Sequence, residues 1–444
     1  MAPVTMDGCK IKAPIYEGGA IELKNSAARK LRQVPAGYLL VGVDPHKKKH
    51  AAFAMTQDLV GRGRLKFANS RQGFDEVVGW AKQLMVKADC RGVFFAIEVG
   101  GHYWRNLSYF LDENGVPFRL INIFTLKRRR EGKEINKRKN DFRDAEVAAE
   151  LLTSGEFTET RLPQGVYADL RATHNAYRRL VKDRTRIINL LKGLLDGLFP
   201  EFANVFKDPC CKTALMVLAT CPVPTAIALE TEQAFVDRLK ATYPEQHPKA
   251  CKLRALHFAA RTSIGIRPGA NSVSMEISLL VDKYRLIGRQ VDELIERLTM
   301  LVDAAEESEY LLSVPGLNYV SVAGLLAELG SFRAYHNSKQ LIKMAGTNPT
   351  ESESGGKRSS RTPMSRKGRT VLRYCAWVAV VPLLRHNPDF SAWAKRLRDR
   401  PAHDNPLGGR QILGAGVNKL LRLAFSLVTK RTYYRSPQLA AVPA

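Results

Sequence analysis

The sequence predicts a mixed α/β domain in the N-terminal third of the chain, followed by a mostly helical remainder. Apolar runs of strand length alternate with helical periodicity up to about residue 155. Beyond that point apolar residues recur at helical spacing, and a seven-residue repeat runs from Leu280 to Leu301. Frequent prolines divide the remainder into several helices. These observations predict an α/β plus α architecture.

Five apolar segments have the length and composition of β-strands: residues 38–44, 51–55, 64–68, 93–98 and 118–122. Helical periodicity in residues 73–87 and 102–112 separates the last three of them. A further helix, rich in Ala, Leu and Glu, begins near Phe142. The predicted order is three strands followed by a helix, a strand, a helix, a strand and a helix. This is the ribonuclease-H-like order, and we expect that fold for residues 37–155.

Four acids stand where this order would bring them together. Asp44 and Glu98 each end an apolar strand, and ligand sites of α/β sheets lie beyond strand ends. Asp141 and Asp144 are three residues apart at a helix start, so both carboxylates share one face. Each acid alone is also explained as a turn residue or a helix-terminal acid. The complete set predicts a cluster that binds one or two divalent metal ions.

The charge of the chain indicates a polyanionic partner. The 444 residues include 69 Lys and Arg against 43 Asp and Glu, a formal net charge of +26. Such an excess over the whole chain favours nucleic acid over a single small ligand. A basic run precedes the paired aspartates, and its candidate nucleic-acid contacts are Arg128, Arg129, Arg130, Lys137, Arg138 and Lys139.

The seven cysteines are scattered and odd in number, which is typical of a reducing cytoplasm. A zinc site remains an open alternative for Cys210, Cys211, Cys221 and Cys251, although no CxxC pair favours it. The N-terminus has no apolar run of the signal-peptide type, and no stretch of about 20 apolar residues predicts a membrane span. We expect an intracellular protein without a membrane partner.

The composition divides the chain into five parts. We expect a flexible basic arm (1–36), the α/β domain (37–155), a helical or coiled-coil region (160–306) with an insertion at 201–274, a mostly helical final domain (308–435) and a tail (436–444). The heptad seam pairs either with the predicted helix 165–199 of the same chain or with a second copy. The sequence leaves both alternatives open.

The final domain contains two segments that suit phosphate contact. Around Pro315 and Gly316, a helix, a turn and a second helix are typical of a helix-hairpin-helix, whose amides contact a phosphate backbone, although an ordinary helical hairpin has the same pattern. Further on, Ser354 precedes two glycines in a loop among cationic candidates for nucleic-acid contact, namely Lys357, Arg358, Lys367, Arg369 and Arg373. A flexible linker with solvated charges would have the same composition.

Short motifs in both halves resemble those of the DEDD-type transposases with a RuvC-like N-terminal domain, insertion-sequence family one-hundred-ten. The N-terminal motifs are Gly42-Val43-Asp44, Ala96-Ile97-Glu98, and Lys139-Asn140-Asp141 with Asp144-Ala145. The C-terminal motifs follow in the same order as in the family: Val314-Pro315-Gly316, Ala345-Gly346, Glu353-Ser354-Gly355 and Lys367-Gly368. The resemblance covers residues 38–152 and 308–380. Asn318 replaces a hairpin glycine, and Asn140 stands where Thr is common.

The resemblance implies a site-specific DNA recombinase of a bacterial or archaeal mobile element, acting in the cytoplasm at the nucleoid. It further implies that a structured bridge RNA guides the enzyme to donor and target DNA. By this resemblance Asp44, Glu98, Asp141 and Asp144 bind Mg²⁺, with Mn²⁺ as a substitute. Ser354 matches the serine that forms a covalent phosphoserine with DNA. Members assemble as dimers that form tetramers, in which the acids of one subunit complete the serine site of another.

Two other functions remain open at the level of the sequence. The first is a RuvC-like, metal-dependent nuclease or junction resolvase that uses water, in which Ser354 takes no part. The second is a non-catalytic nucleic-acid-binding protein whose carboxylates only cap helices. The complete set of four acids argues against the second alternative, and the Ser-Gly-Gly loop argues against the first.

Overall fold

The computed structural model describes residues 30–133, 140–158, 162–350, 353–354, 357–358, 363–401 and 405–436. The chain folds as two compact units, Met1–Leu162 and Pro163–Ala444. Most of the predicted arm (1–29) and most of the predicted tail (437–444) lie outside the described residues, as does the basic segment 134–139. The predicted mixed α/β N-terminal part and mostly helical remainder are confirmed.

The first unit is built on a five-stranded sheet in the spatial order β3-β2-β1-β4-β5. Its strands are β1 Tyr38–Asp44, β2 Lys49–Met55, β3 Gly61–Ala68, β4 Gly92–Glu98 and β5 Phe118–Ile121. The first three strands pair antiparallel, whereas β1 with β4 and β4 with β5 pair parallel. Parallel neighbours need crossover connections, and here helices supply them.

Helices cover both faces of this sheet. They are α1 Arg71–Lys87, α2 Trp104–Glu113, α3 Ile123–Lys133 and α4 Asp141–Thr153. Leu39, Val41 and Val43 of β1 share an apolar core with α1 and α2, and Leu40 shares another with α3 and α4. Since successive side chains of a strand point to opposite faces, burial on both sides requires the continuous apolar run of β1.

The second unit is mostly helical. Its helices are α5 Gly165–Leu198, α6 Phe202–Val205, α7 Lys212–Thr220, α8 Pro224–Leu229, α9 Glu232–Thr242, α10 Ala250–Arg261, α11 Ala270–Asp303, α12 Ser308–Leu312, α13 Tyr319–Leu329, α14 Ser338–Ala345, α15 Thr370–His386, α16 Pro388–Arg398 and α17 Gly409–Lys430. A short hairpin pairs β6 Glu353–Ser354 with β7 Lys357–Arg358. One apolar core joins α6–α10 to the long helices α5 and α11, and another joins the helices from α12 onward to the other end of the same pair.

The heptad repeat lies on α11, which packs against α5 of the same chain. The pair is antiparallel, because Leu170 of α5 lies in one core with Leu298 of α11 while Leu191 lies in the other core with Ile277. Along the repeat Ile287 and Leu301 are buried, and Leu280 and Leu294 are half-buried. Of the two alternatives for the seam, the structure therefore contains the pairing within the chain.

This packing predicts that a charge at Ile287 unfolds the second unit instead of only separating subunits. Ile287 is 5% exposed, and a buried unpaired carboxylate costs about 3–5 kcal/mol. We expect Ile287→Glu to lower the free energy of unfolding by that amount, as measured by denaturant unfolding followed by circular dichroism. The adjacent Leu286 is 46% exposed, so Leu286→Glu is the matched control and should stay within about 0.5 kcal/mol. An Ile287→Glu chain that keeps its helicity and only loses mass in sizing would contradict the packing.

The predicted helical hairpin is formed by α12, a turn through Pro315 and Gly316, and α13. Gly316 has a φ of +98°, a left-handed conformation that glycine adopts without strain. Asn318 caps α13, because its side chain accepts the Ser321 amide hydrogen bond at 2.9 Å. The departure from the family glycine at this position thus gives the second helix a side-chain cap.

Among the described residues, α17 is the one helix whose length and composition would allow it to cross a membrane. It contributes Leu420, Leu421 and Val428 to the core of the second unit. The apolar character of α17 is therefore accounted for by packing against its neighbouring helices.

Candidate active site

Two of the predicted acids meet at one edge of the sheet. β1 and β4 are parallel neighbours, and their register pairs Val43 with Ile97. Asp44 and Glu98 are the next residue of each strand, so their backbones leave the sheet side by side. Both side chains are buried, at 7% and 8% exposure. The strand pairing alone therefore brings two carboxylates to the carboxyl edge of the sheet.

Helix α4 brings a third carboxylate to the same place. Its N-terminal cap is Asn140, whose side chain accepts the Phe142 amide at 3.1 Å. Because Asn140 performs the capping, Asp141 and Asp144 in the first turn are not needed as caps. Asp144 lies on the buried face of α4 and is 2% exposed.

The close approach of α4 to β1 depends on Gly42. A Cβ atom at Gly42 would lie 1.8 Å from the carbonyl oxygen of Ala145 and 2.8 Å from the amide nitrogen of Ala149. Any side chain would therefore push the helix away from the strand. The glycine of the Gly42-Val43-Asp44 motif allows α4 to lie on β1 two residues before Asp44.

Asp44, Glu98 and Asp144 form a buried carboxylate cluster. One oxygen from each lies within 4.8 Å of the others. Three like charges at this separation and burial repel one another strongly. Part of this charge is balanced by Arg130, which forms an ion pair with Asp144. Three oxygen ligands of this kind are the donors that hard divalent cations prefer, so the residues fit a divalent metal.

Asp141 lies in a second, more exposed group with Asp44 and His46. His46 Nε2 is 3.2 Å from an Asp44 oxygen and 3.5 Å from an Asp141 oxygen. The structure thus divides the four predicted acids between two groups that share Asp44. His46 was not among the sequence candidates. The sequence did contain one indication of this role. Histidine is a common metal ligand, and His46 lies two positions after the acid that ends β1.

A buried histidine holds the turn that carries His46. His50 is 1% exposed and lies against Phe67 and Phe74, with ring centroids 5.0 and 5.8 Å away. Its Nδ1 accepts the His46 backbone amide at 3.0 Å. Burial lowers the pKa of His50 to about 4, so the ring is neutral near pH 7 and Nδ1 stays an acceptor.

We expect Gly42→Ala to abolish metal binding by the cluster. The added methyl group cannot coexist with the Ala145 carbonyl at its present position, so α4 must shift and take Asp144 with it. The overpacking should also cost about 3 kcal/mol of unfolding free energy. Gly79 on α1 has no atom within 4 Å of an added Cβ, which makes Gly79→Ala the matched control. Calorimetric titration with Mn²⁺ and denaturant unfolding measure both effects, and a Gly42→Ala protein that binds metal like Gly79→Ala would contradict this account.

The predicted basic contacts near the cluster have different surroundings. Arg129 donates to Glu150 at 3.0 Å and Arg130 pairs with Asp144, so both contact carboxylates of α4. Arg128 is exposed. Lys137, Arg138 and Lys139 lie outside the described residues. Arg129 and Arg130 are therefore engaged with acids of the protein, whereas Arg128 is exposed.

Ser354 lies at the tip of a loop whose two arms are held together by backbone hydrogen bonds. The Thr350 amide donates to the Pro363 carbonyl, and the Ser365 amide donates to the Asn348 carbonyl, both at 2.9 Å. At the tip, Ser354 pairs with Lys357 across β6 and β7. These backbone pairings join the described residues on the two sides of the loop.

The motifs flanking the loop pack backbone against backbone. A Cβ atom at Gly368 would lie 2.4 Å from the amide nitrogen of Gly346, and Gly346 itself has a φ of +67°. The Arg366 amide also donates to the Gly346 carbonyl at 2.9 Å. The two glycines of Ala345-Gly346 and Lys367-Gly368 thus allow the base of the serine loop to close.

The cationic residues of this unit also divide into two sets. Arg373 donates to the Ala345 carbonyl at 2.8 Å, and Arg369 donates to the Glu328 carbonyl, so both brace the loop base. Lys367 is exposed. Lys357 and Arg358 are described by their backbone pairing alone. The bracing role of the two arginines was not expected from the sequence.

The zinc alternative finds no support in the described residues. In this part of the chain, the groups of His, Cys, Asp and Glu close enough to share an ion are the two around Asp44, and neither includes a cysteine. Burial raises the pKa of the Cys210 thiol to about 11, which disfavours the thiolate that binds metal.

Comparison with known proteins places these features in a family. A transposase model of the DEDD IS110 type matches residues 41–200, and a second model, described as transposase IS116/IS110/IS902 family, matches residues 308–395. Together they match more than half of the chain. The first match contains all four acids, and the second contains the serine loop.

Full-length relatives agree with both matches. An uncharacterized 44.8 kDa protein of insertion element IS116 from Streptomyces clavuligerus is 22% identical over 83% of this chain and 90% of its own length. The transposase for insertion sequence element IS1111A from Coxiella burnetii is 23% identical over 72% of this chain and 74% of its own length. An uncharacterized 42 kDa protein of insertion element IS900 from Mycobacterium paratuberculosis is 23% identical over 80% of this chain and 88% of its own length.

The carboxylate cluster at the sheet edge and the matched motifs define a DEDD transposase, an enzyme that cuts and rejoins DNA. The chain belongs to the IS110 family of insertion-sequence transposases. Divalent-metal dependence is expected of this family, and the buried carboxylates of the first unit fit it.

Proposed function

We propose that this transposase is an RNA-guided DNA recombinase that uses both a carboxylate-bound Mg²⁺ centre and a serine nucleophile. Asp44, Glu98, Asp141 and Asp144 form the metal centre, and Ser354 attacks DNA. The observation that carries the proposal is the convergence of three buried carboxylates at the edge where two parallel strands end. Burying like charges in this way costs stability, and the cost is understandable at a functional site.

The N-terminal unit is proposed to be RuvC-like. Three antiparallel strands followed by two parallel ones, with β1 at the centre, support this assignment. The first acid ends the central strand and the second ends its parallel neighbour. The third and fourth lie in the first turn of a helix packed on that strand.

The acids have separate roles at a scissile phosphate. A divalent ion bound here supplies Lewis-acid polarisation of a phosphodiester oxygen. Glu98 and Asp144 are buried and hold their oxygens in fixed directions. Arg130 pairs with Asp144 and neutralises part of the cluster's charge. Asp141 has a side chain that is 44% exposed, so it is accessible to a nucleic-acid strand.

Ser354 is proposed to form a covalent bond with DNA. Its Oγ attacks phosphorus, the bond from phosphorus to the sugar oxygen of the adjoining nucleotide breaks, and the serine proton is transferred, net, to that leaving oxygen. The phosphoserine retains the energy of the broken phosphodiester, so a sugar hydroxyl of another strand can displace Ser354 without ATP. The hydrogen-bonded arms of the loop support this role, because a nucleophile needs a fixed position.

Both DNA and a structured RNA are proposed partners. The net charge of +26 supports binding dominated by phosphate contacts. Arg128 and Lys367 are exposed and, with Lys357 and Arg358, are the proposed contacts in the described part of the chain. Arg129, Arg130, Arg369 and Arg373 contact the protein itself, and their proposed role is to support the two sites. The recombinase is proposed to act as a dimer that assembles to a tetramer.

A RuvC-like nuclease that uses water is the second candidate. It is favoured by one observation, namely that the buried carboxylate cluster lies entirely within the first compact unit. In that case Ser354 would take no part, and the products would be hydrolysed ends. The fate of the cut DNA end distinguishes the two candidates.

The guide is tested by removing RNA. We expect protein purified with ribonuclease treatment to bind DNA but not to recombine its donor and target, with activity restored by the RNA transcribed from its own element. Paired RNA is recognised largely by shape and backbone, so an unrelated structured RNA of equal length is the control. Recombination by the ribonuclease-treated protein at the untreated rate would exclude a guide RNA.

A further inference from the structure

We propose that His46 is a metal ligand and that, with Asp44 and Asp141, it forms a second divalent-cation site beside the buried carboxylate cluster. This inference rests on the proposed metal centre. The two sites share Asp44, whose carboxylate has two oxygens and is able to bridge two ions. The first site has carboxylate ligands alone, whereas the second has one nitrogen ligand.

The distances fit a ligand set. His46 Nε2 lies 3.2 Å from Asp44 Oδ2 and 3.5 Å from Asp141 Oδ1, so one ring nitrogen faces two carboxylate oxygens. The three donor atoms lie within 4.8 Å of one another. Two ions about 3.5–4 Å apart are the arrangement that clamps both the attacking and the leaving oxygen of a phosphodiester.

The surroundings of His46 hold it in place. Its backbone amide donates to Nδ1 of the buried His50 at 3.0 Å, which anchors the turn that follows β1. The His46 side chain is 48% exposed, and that of Asp141 is 44% exposed. Two such exposed groups would gain little from each other as an ion pair alone. Their common direction toward Asp44 is explained by a shared cation.

Lys66 is the competing partner for Asp141. Its ammonium nitrogen lies 4.0 Å from Asp141 Oδ2, at the limit of an ion pair, and its side chain is 55% exposed. Such a pair is weak and gives way to a divalent ion. Imidazole nitrogen suits transition-metal ions better than Mg²⁺, so the second site should retain Mn²⁺ in a moderate excess of Mg²⁺.

The test is the Mn²⁺ stoichiometry of the full chain, freed of nucleic acid, measured by calorimetry and electron paramagnetic resonance. Wild-type protein should bind two Mn²⁺ with a spectrum broadened by their proximity. His46→Ala and Asp141→Asn should each weaken the second ion by about tenfold or more, leaving the six-line spectrum of an isolated ion. Echo modulation from an imidazole nitrogen should be present in wild type and lost in His46→Ala. The exposed His386 of α15 gives the control variant His386→Ala.

Three other results would overturn the second site, and one would overturn the metal centre as a whole. Two ions in both wild type and His46→Ala, or no nitrogen coupling in wild type, would overturn the second site. A single ion that neither His46→Ala nor Asp141→Asn weakens would overturn it too, while leaving the carboxylate centre intact. No bound Mn²⁺ in wild type would overturn the proposed metal centre itself.

Discussion

Asp44→Asn or Asp144→Asn should reduce DNA strand cleavage by about 10³-fold or more while leaving nucleic-acid binding largely unchanged. Both carboxylates belong to the buried cluster, and the loss of one removes a metal ligand. Transition-state stabilisation of several kcal/mol by a bound cation corresponds to that change in rate. Cleavage of an end-labelled substrate and binding by gel shift measure the two properties separately.

The stability of these variants distinguishes a catalytic site from a structural one. Asp44→Asn removes one of three repelling buried charges, so the metal-free protein should be at least as stable as wild type. Asp144→Asn leaves Arg130 without its ion pair and should be less stable than Asp44→Asn. Asp75, which is exposed and pairs with Arg71, gives the control variant Asp75→Asn. Wild-type cleavage by the double variant, or in excess chelator, would contradict the metal centre.

Ser354→Ala should abolish recombination, by about 10⁴-fold or more, as expected for removal of a covalent nucleophile. The chain offers its own control in Ser352, two residues earlier in the same loop. Ser352→Ala should retain both activity and the covalent protein–DNA adduct. Because the loop arms are joined by backbone hydrogen bonds, neither substitution should alter the fold.

Labelled DNA trapped on denatured protein measures this difference directly. An adduct that survives Ser354→Ala but is lost in Ser352→Ala would transfer the nucleophile to Ser352. Metal binding by the Ser354→Ala protein should equal that of wild type, since Ser354 belongs to the second unit and the carboxylate cluster to the first.

Much of the α/β unit follows from the sequence because its strands are buried on both faces. Continuous apolar runs such as residues 38–43 are easily recognised, and all five strands occur at or near the predicted positions. Helix α3 was not predicted. It consists mainly of charged residues and buries Leu126 against the sheet, so it has almost no apolar periodicity.

The four acids were also recognisable, because each follows a strand end or opens a helix. Their division into two groups was not. It depends on the spacing between α4 and β1, which the contact of Gly42 with Ala145 sets in three dimensions. His46 was hidden for a similar reason. In the sequence it lies in a turn with several lysines, and only the folded turn directs its ring toward Asp44.

In the second unit, the sequence predicted the helices themselves but not the residues and helices that they contact. The heptad of α11 was visible, but its pairing with α5 depends on packing that the repeat does not encode. Arg369 and Arg373 belonged to a predicted cationic shell, yet they donate to the backbone carbonyls of Glu328 in α13 and Ala345 in α14. The sequence shows that both residues are charged, but only the folded structure shows which groups they donate hydrogen bonds to.

The fate of the cut DNA end in wild-type protein distinguishes a serine recombinase from a water-using nuclease. The protein is incubated with guide RNA, labelled DNA and Mg²⁺, denatured, digested and analysed by mass spectrometry. We expect a nucleotide bound through phosphate to the peptide that contains Ser354, formed with Mg²⁺ and absent in chelator. Cleaved DNA with free hydrolysed ends and no bound peptide would contradict it and favour a water-using nuclease.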